Sequence, residues 1–141
     1  MITPSVSIMQ IDWSHGALAE GLQCYRKEEF FLAHEHWESV WLGSPEPEKT
    51  FLQALIQMTA AFHLLQRRNS TGAASLLRAA LRRLEPYPAD FGGIAVAPLR
   101  ESIGAWLQAL DAQDTSLRPP FPRIQITCED LQKSIDTVRK S

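Results

Sequence analysis

An all-α fold, a single bundle of five main helices with a short C-terminal helix added, is what this sequence predicts, and three observations carry the prediction. Thr50 to Gln66 contains no formally charged residue and spreads Phe51, Leu52, Leu55, Ile56, Met58, Phe62, Leu64 and Leu65 around almost the whole helical wheel, the pattern of a helix surrounded by others. Ala73, Leu76, Leu77, Ala80, Leu81 and Leu84 recur at i, i+3, i+4, i+7, i+8 and i+11, the stripe of an amphipathic helix. Breaker clusters at Gly43 to Pro47, Pro86 to Pro88 and Pro119 to Pro122 cut the chain between such segments.

The elements follow in order. Residues 1–11 contain Pro4 and alternate loosely, which predicts an extended arm. A first helix is expected over Trp13 to Lys27, capped by Asp12 or Ser14, with Leu18, Leu22 and Tyr25 inward. The second helix opens after the charged corner Lys27-Glu28-Glu29 and should stop at Gly43 in a left-handed C′ position. Pro47 and Glu48 suit the first turn of the third, where a missing N–H costs little and a negative charge meets the helix dipole. Ser70 or Thr71 should cap the fourth. Residues 89–96, with Gly92-Gly93, read as a loop into a fifth helix that takes Pro98 in its first turn and buries Leu99, Ile103, Trp106, Leu107 and Leu110. Pro119 to Pro122 and Ile124 to Ile126 form a strap or a lone edge strand, or a contact for another chain, and Thr127 to Asp130 resembles a capping box opening the last helix. The expected organisation is thus an arm (1–11), a helical bundle (12–118), and a strap with a terminal helix packed on the same domain (119–141).

Composition narrows the function classes. A net charge of −2 leaves no global attraction for nucleic acid or anionic lipid, and no apolar run is long enough to span a membrane. Cys24 and Cys128 lack any C-x-x-C spacing and are expected as reduced thiols, so the chain reads as soluble and cytoplasmic. A basic patch from the arginines at 67, 68, 78, 82 and 83 reads as a solvated helix face. The sequence shows no Gly-rich phosphate loop, nucleophile elbow or Cys/His catalytic pairing, so no reaction is assigned.

The chemistry concentrates in Phe30 to Trp41. At about 100° per residue, Phe30, His34, Trp37 and Trp41 share one stripe, with Glu38 beside His34 and Glu35 further round. His34 with Glu35 at i+1 and Glu38 at i+4 offers an imidazole and two carboxylates to one point. The order H-E-x-x-E is neither the zincin H-E-x-x-H nor the E-x-x-H of di-iron bundles. His36 and His15 are expected in solvent, and Trp37 and Trp41 in the core.

Phe31-x-Ala33-His34-Glu35-x-x-Glu38-x-x-Trp41, then Leu55-Ile56-Gln57, Ala60-Ala61, His63, Asn69 and Gly72-Ala73, resembles the domain-of-unknown-function family numbered three hundred and nine, over about residues 14 to 86. The resemblance implies a small all-helical bundle and assigns no biochemical role. Thr59 departs from its pattern, standing where a small apolar residue is expected, and would bring a hydroxyl near His63.

Two readings follow for a buried His/Glu cluster. In one, His34, Glu38 and His63, helped by Gln57 or Gln66, form a sealed hydrogen-bond network inside a scaffold or interaction module. Gln53, Gln57, Ala60 and Leu64 then give the third helix a weakly polar face for a homodimer or another protein partner. In the other, His34, Glu38 and His63 bind a divalent metal (Zn, Fe or Mn), with Glu35, Trp41 and Gln57 lining a ligand or hydrolytic site.

Overall fold

The computed structural model describes residues 11–113 and 118–127. Five helices follow one another: α1 (Gly16–Arg26), α2 (Phe30–Trp41), α3 (Glu48–Gln66), α4 (Ser70–Leu84) and α5 (Val96–Ala112). Between α4 and α5 lie two two-residue strands, β1 (Asp90–Phe91) and β2 (Ile94–Ala95), paired antiparallel. The expected mostly all-α architecture is therefore the observed one. The predicted arm ahead of Ile11 and the terminal helix after Thr127 fall outside the described residues.

Each helix packs against the next in sequence. The α2/α3 pair is antiparallel, because Phe31 at the start of α2 meets His63 near the end of α3 while Trp41 at the end of α2 meets Lys49 at the start of α3. The third helix, free of formal charge beyond Lys49, is the centre, as its composition requires: Phe51, Leu52, Ala54, Leu55, Met58, Thr59, Ala61 and Phe62 are all at most 1% exposed. Thr59 satisfies its hydroxyl within its own helix, donating to the Leu55 carbonyl at 2.7 Å.

Aromatic rings tie the outer helices to this centre. Phe30, Phe62, Trp106 and Phe121 interlock, with centroid separations of 4.9–5.6 Å. The strap holds by more than Phe121. Tyr25 Oη donates to Pro122 O at 2.7 Å, Trp106 Nε1 to Pro120 O at 3.1 Å, and Ile126 bridges antiparallel to Ile94. The 118–127 segment is thus packed along its length on this chain.

Four boundary expectations are corrected. α1 begins at Gly16, three residues later than expected, because Asp12 spends its carboxylate on the Ser14 amide and hydroxyl in a turn ahead of the helix. Gly43 has no positive φ; Leu42 continues right-handed, and Ser44 serves the end of α2 by donating from its N–H to Trp41 O and from Oγ to Val40 O. Asn69, not Ser70 or Thr71, caps α4, accepting from Gly72 N at 2.9 Å. The 89–96 loop is a hairpin whose Gly92 and Gly93 both take positive φ, and a Cβ at Gly92 would stand 2.8 Å from Ile11 Cδ1.

Candidate functional site

α2 presents three faces. Phe30, Ala33 and Trp37 point into the core, and Trp37 is fixed by donating from Nε1 to Leu18 O at 3.1 Å. Phe31, Glu35, Glu38 and Leu42 lie outside, and His34 and Trp41 sit on the seam with α3. The angular spacing of a helix produces this division once Trp37 has chosen the interior.

The His34 side chain is 23% exposed, with Glu35 and Glu38 at 54% and 52%. His34 Nδ1 lies 3.6 Å from Glu35 Oε2, and Nε2 lies 3.9 Å from Glu38 Oε2, both beyond hydrogen-bond reach. One donor atom from each residue falls within 4.8 Å of the other two. The Phe31 ring lies almost parallel to the imidazole, 15° between planes at 6.4 Å, and packs on His63 at 5.4 Å.

Two parts of the sequence expectation are corrected. The cluster is not buried, because α3 covers only the seam side of α2 and leaves both carboxylates in water. Nor is it a sealed network: among the described residues no hydrogen bond joins His34, Glu38, His63 or Gln57, and Gln66 Nε2 donates to Glu28 O at 3.0 Å instead. His34 Nδ1, Trp41 Nε1 and Gln57 Oε1 are each shielded from water without a hydrogen-bond partner among the described residues. His63 lies behind Phe31 and outside the three-donor group, so the expected His34/Glu38/His63 set is not the one brought together. Glu35, which the sequence placed further round, joins it.

Other features were out of reach of helical-wheel reasoning. Glu48 is 4% exposed at the start of α3, and neither of its oxygens has a hydrogen-bond partner among the described residues. Lys49 Nζ stands 5.3 Å over the Trp41 ring. His36, expected in solvent, is half-buried with Nδ1 at 3.5 Å from Glu20 Oε1, while His15 is exposed beside Asp12. Cys24 is free, and burial, reinforced by the Glu29 charge, pushes its thiol up, which opposes the thiolate a nucleophile needs. The clefts beside Arg78 and Asp111, beside Tyr25 and Arg123, and beside Tyr87 and Phe91 take no residue from the His34 group, whose two carboxylates are half-exposed on the surface of α2.

The fold and this geometry define a small all-α bundle that carries an open His/Glu/Glu donor group on its second helix. The model of the family described as Domain of unknown function (DUF309) matches residues 18–76, a stretch that runs from within α1 into the first half of α4 and stops short of the hairpin, α5 and the strap. That span is narrower than the 14 to 86 expected, and it holds His34, Glu35, Glu38, Trp41, Gln57 and His63. No curated protein matches the chain. Among the described residues no helix is long and apolar enough to cross a membrane.

Proposed function

We propose that this chain is a divalent-metal-binding protein, with His34, Glu35 and Glu38 as the protein ligands. The observation that supports it is the gathering of one imidazole and two carboxylate donors within 4.8 Å, with His34 Nδ1 shielded from water and unpartnered among the described residues. A nitrogen and two oxygens suit Zn, Fe or Mn better than the all-oxygen shells that Ca and Mg favour. All three ligands come from little more than one turn of a single helix, so an ion there is held from one side and keeps coordination positions open on the other.

The test is direct titration of untagged protein with Zn(II) and Mn(II) by calorimetry, alongside elemental analysis of protein as purified. Saturable binding that is lost in His34→Ala and reduced at least tenfold in Glu38→Gln supports the proposal. Binding that survives both substitutions, or no binding to wild type, refutes it. His63→Ala should leave the affinity within about twofold, since that ring stands outside the donor group.

A further inference from the structure

We infer that a second copy of this chain docks antiparallel on the outer stripe of α2, so that two His34/Glu35/Glu38 groups face each other across a bridging divalent cation. This rests on the metal reading above and adds the partner that completes the site.

The inference begins with exposure. Phe31 is 52% and Leu42 70% exposed, two of the three large apolar side chains left in water among the described residues. They mark the ends of one stripe, Phe31, Glu35, Glu38, Leu42, whose spacing of four, three and four residues keeps to one side of a helix. Leu42 belongs to that stripe because its φ of −60° and ψ of −37° continue the helical path. The stripe is about 16 Å long at 1.5 Å per residue.

The order apolar, acid, acid, apolar reads the same in both directions. A two-fold axis through the middle of the stripe therefore sets Phe31 against the partner's Leu42 and Glu35 against the partner's Glu38, an isologous contact in which one patch serves both copies. The same axis brings four carboxylates together. Without a cation their repulsion opposes the contact, and with one they become the coordination shell that a single copy leaves open on one side.

Size points the same way. A stripe about 16 Å long and one helix wide is well short of the roughly 800 Å² per partner of a stable interface, so the apolar ends alone do not hold two copies together. The pairing is accordingly metal-dependent. Leu32, 48% exposed and about 100° round the helix from Phe31, extends the apolar end without entering the stripe.

The experiment is sedimentation velocity on the full chain in EDTA and with stoichiometric to fivefold Zn(II), repeated on Phe31→Ser, Leu42→Ser and Glu35→Gln/Glu38→Gln. Expected are a monomer in EDTA and a discrete dimer with Zn(II). The two serine variants should stay monomeric while still binding Zn(II) in calorimetry, and the double Gln variant should lose both properties. Phe31 and Leu42 are exposed, so their replacement leaves folding intact, which circular dichroism checks. Wild type that binds Zn(II) and remains monomeric overturns the inference and leaves the metal reading standing. A dimer already formed in EDTA, or Zn(II)-driven association that persists in Phe31→Ser, also overturns it. Absence of Zn(II) binding in wild type removes both.

Discussion

Gly21→Ala pits two physical effects of opposite sign against each other. Gly21 lies in the middle of α1, where alanine is the better helix former by about 1 kcal/mol, so propensity alone predicts a more stable protein. A Cβ built there, however, stands 2.6 Å from Trp37 Cδ1 and 2.9 Å from Cε2. The indole cannot retreat freely: it is wholly buried, set edge-on to Trp13 at 5.9 Å, stacked on Tyr25 at 6.1 Å and held by its hydrogen bond to Leu18 O. Overpacking costs about 1–3 kcal/mol and a strained or lost hydrogen bond about 1 kcal/mol, so after the propensity gain the net loss is about 2 kcal/mol. For a chain of this length that lowers Tm by roughly 4–8 °C. Gly104→Ala is the control, since Gly104 lies within α5 and a Cβ there meets nothing within 4 Å; propensity acts alone and Tm rises by roughly 1–4 °C. Both are read by thermal and urea unfolding followed by circular dichroism. A Gly21→Ala protein at least as stable as wild type would refute the proposed seating of α1 on α2.

Three further substitutions probe other joints of the fold. Asn69→Ala removes the cap on α4 and should cost about 1 kcal/mol in urea unfolding with an unchanged m-value. Phe121→Ala takes away the ring that meets Phe30, Phe62 and Trp106, and should cost about 3 kcal/mol and alter tryptophan fluorescence through the exposure of Trp106. Burial holds the Tyr25 phenol far above its ordinary value of 10.0, with the Glu28 charge acting in the same direction. The unfolded chain therefore loses that proton near pH 10 while the folded chain keeps it, so stability is full below that pH and falls as pH rises beyond it. Urea midpoints between pH 8.5 and 11 should show the decline, and Tyr25→Phe should flatten it while lowering stability at neutral pH by about 1–3 kcal/mol through the unpaired Pro122 carbonyl.

What the sequence discloses is governed by how local each cause is. α3 and α4 were readable because their signals, absence of charge and a leucine/alanine stripe, are carried by their own residues. The hairpin was not, because two-residue strands have no periodicity and exist here through tertiary ties: Thr127 N donates to Gly93 O at 2.8 Å and Ala95 N to Gln125 O at 3.0 Å. The end of α2 misled for a related reason. Gly43 permits a left-handed residue without demanding one, and Ser44 answered the orphan carbonyls first, whereas Glu28, Arg68 and Gln113 take positive φ near the ends of α1, α3 and α5 with no glycine to announce them. For the site, the i, i+1, i+4 grouping was present in the residues, but a helical wheel gives direction and not cover. How much of His34 and Glu38 lies under α3 depends on where Phe31 and Trp41 come to rest against it.

The same cover explains why a donor group can exist on α2 at little cost to the fold. The helix is fixed from its inner side, by Phe30 and Ala33 in the core and by the Trp37 hydrogen bond to α1, and none of these contacts uses Glu35 or Glu38. Two half-exposed carboxylates at 3.6 and 3.9 Å from an imidazole contribute little to stability in water, so they are available for binding without a structural penalty. His34 is the intermediate case. Its side chain is 23% exposed on a helix whose position is set by core-facing packing, with Nδ1 nearest Glu35 and Nε2 nearest Glu38. On the proposed metal reading, one ligand pre-positioned by packing and two free to adjust would take up an ion with limited reorganisation.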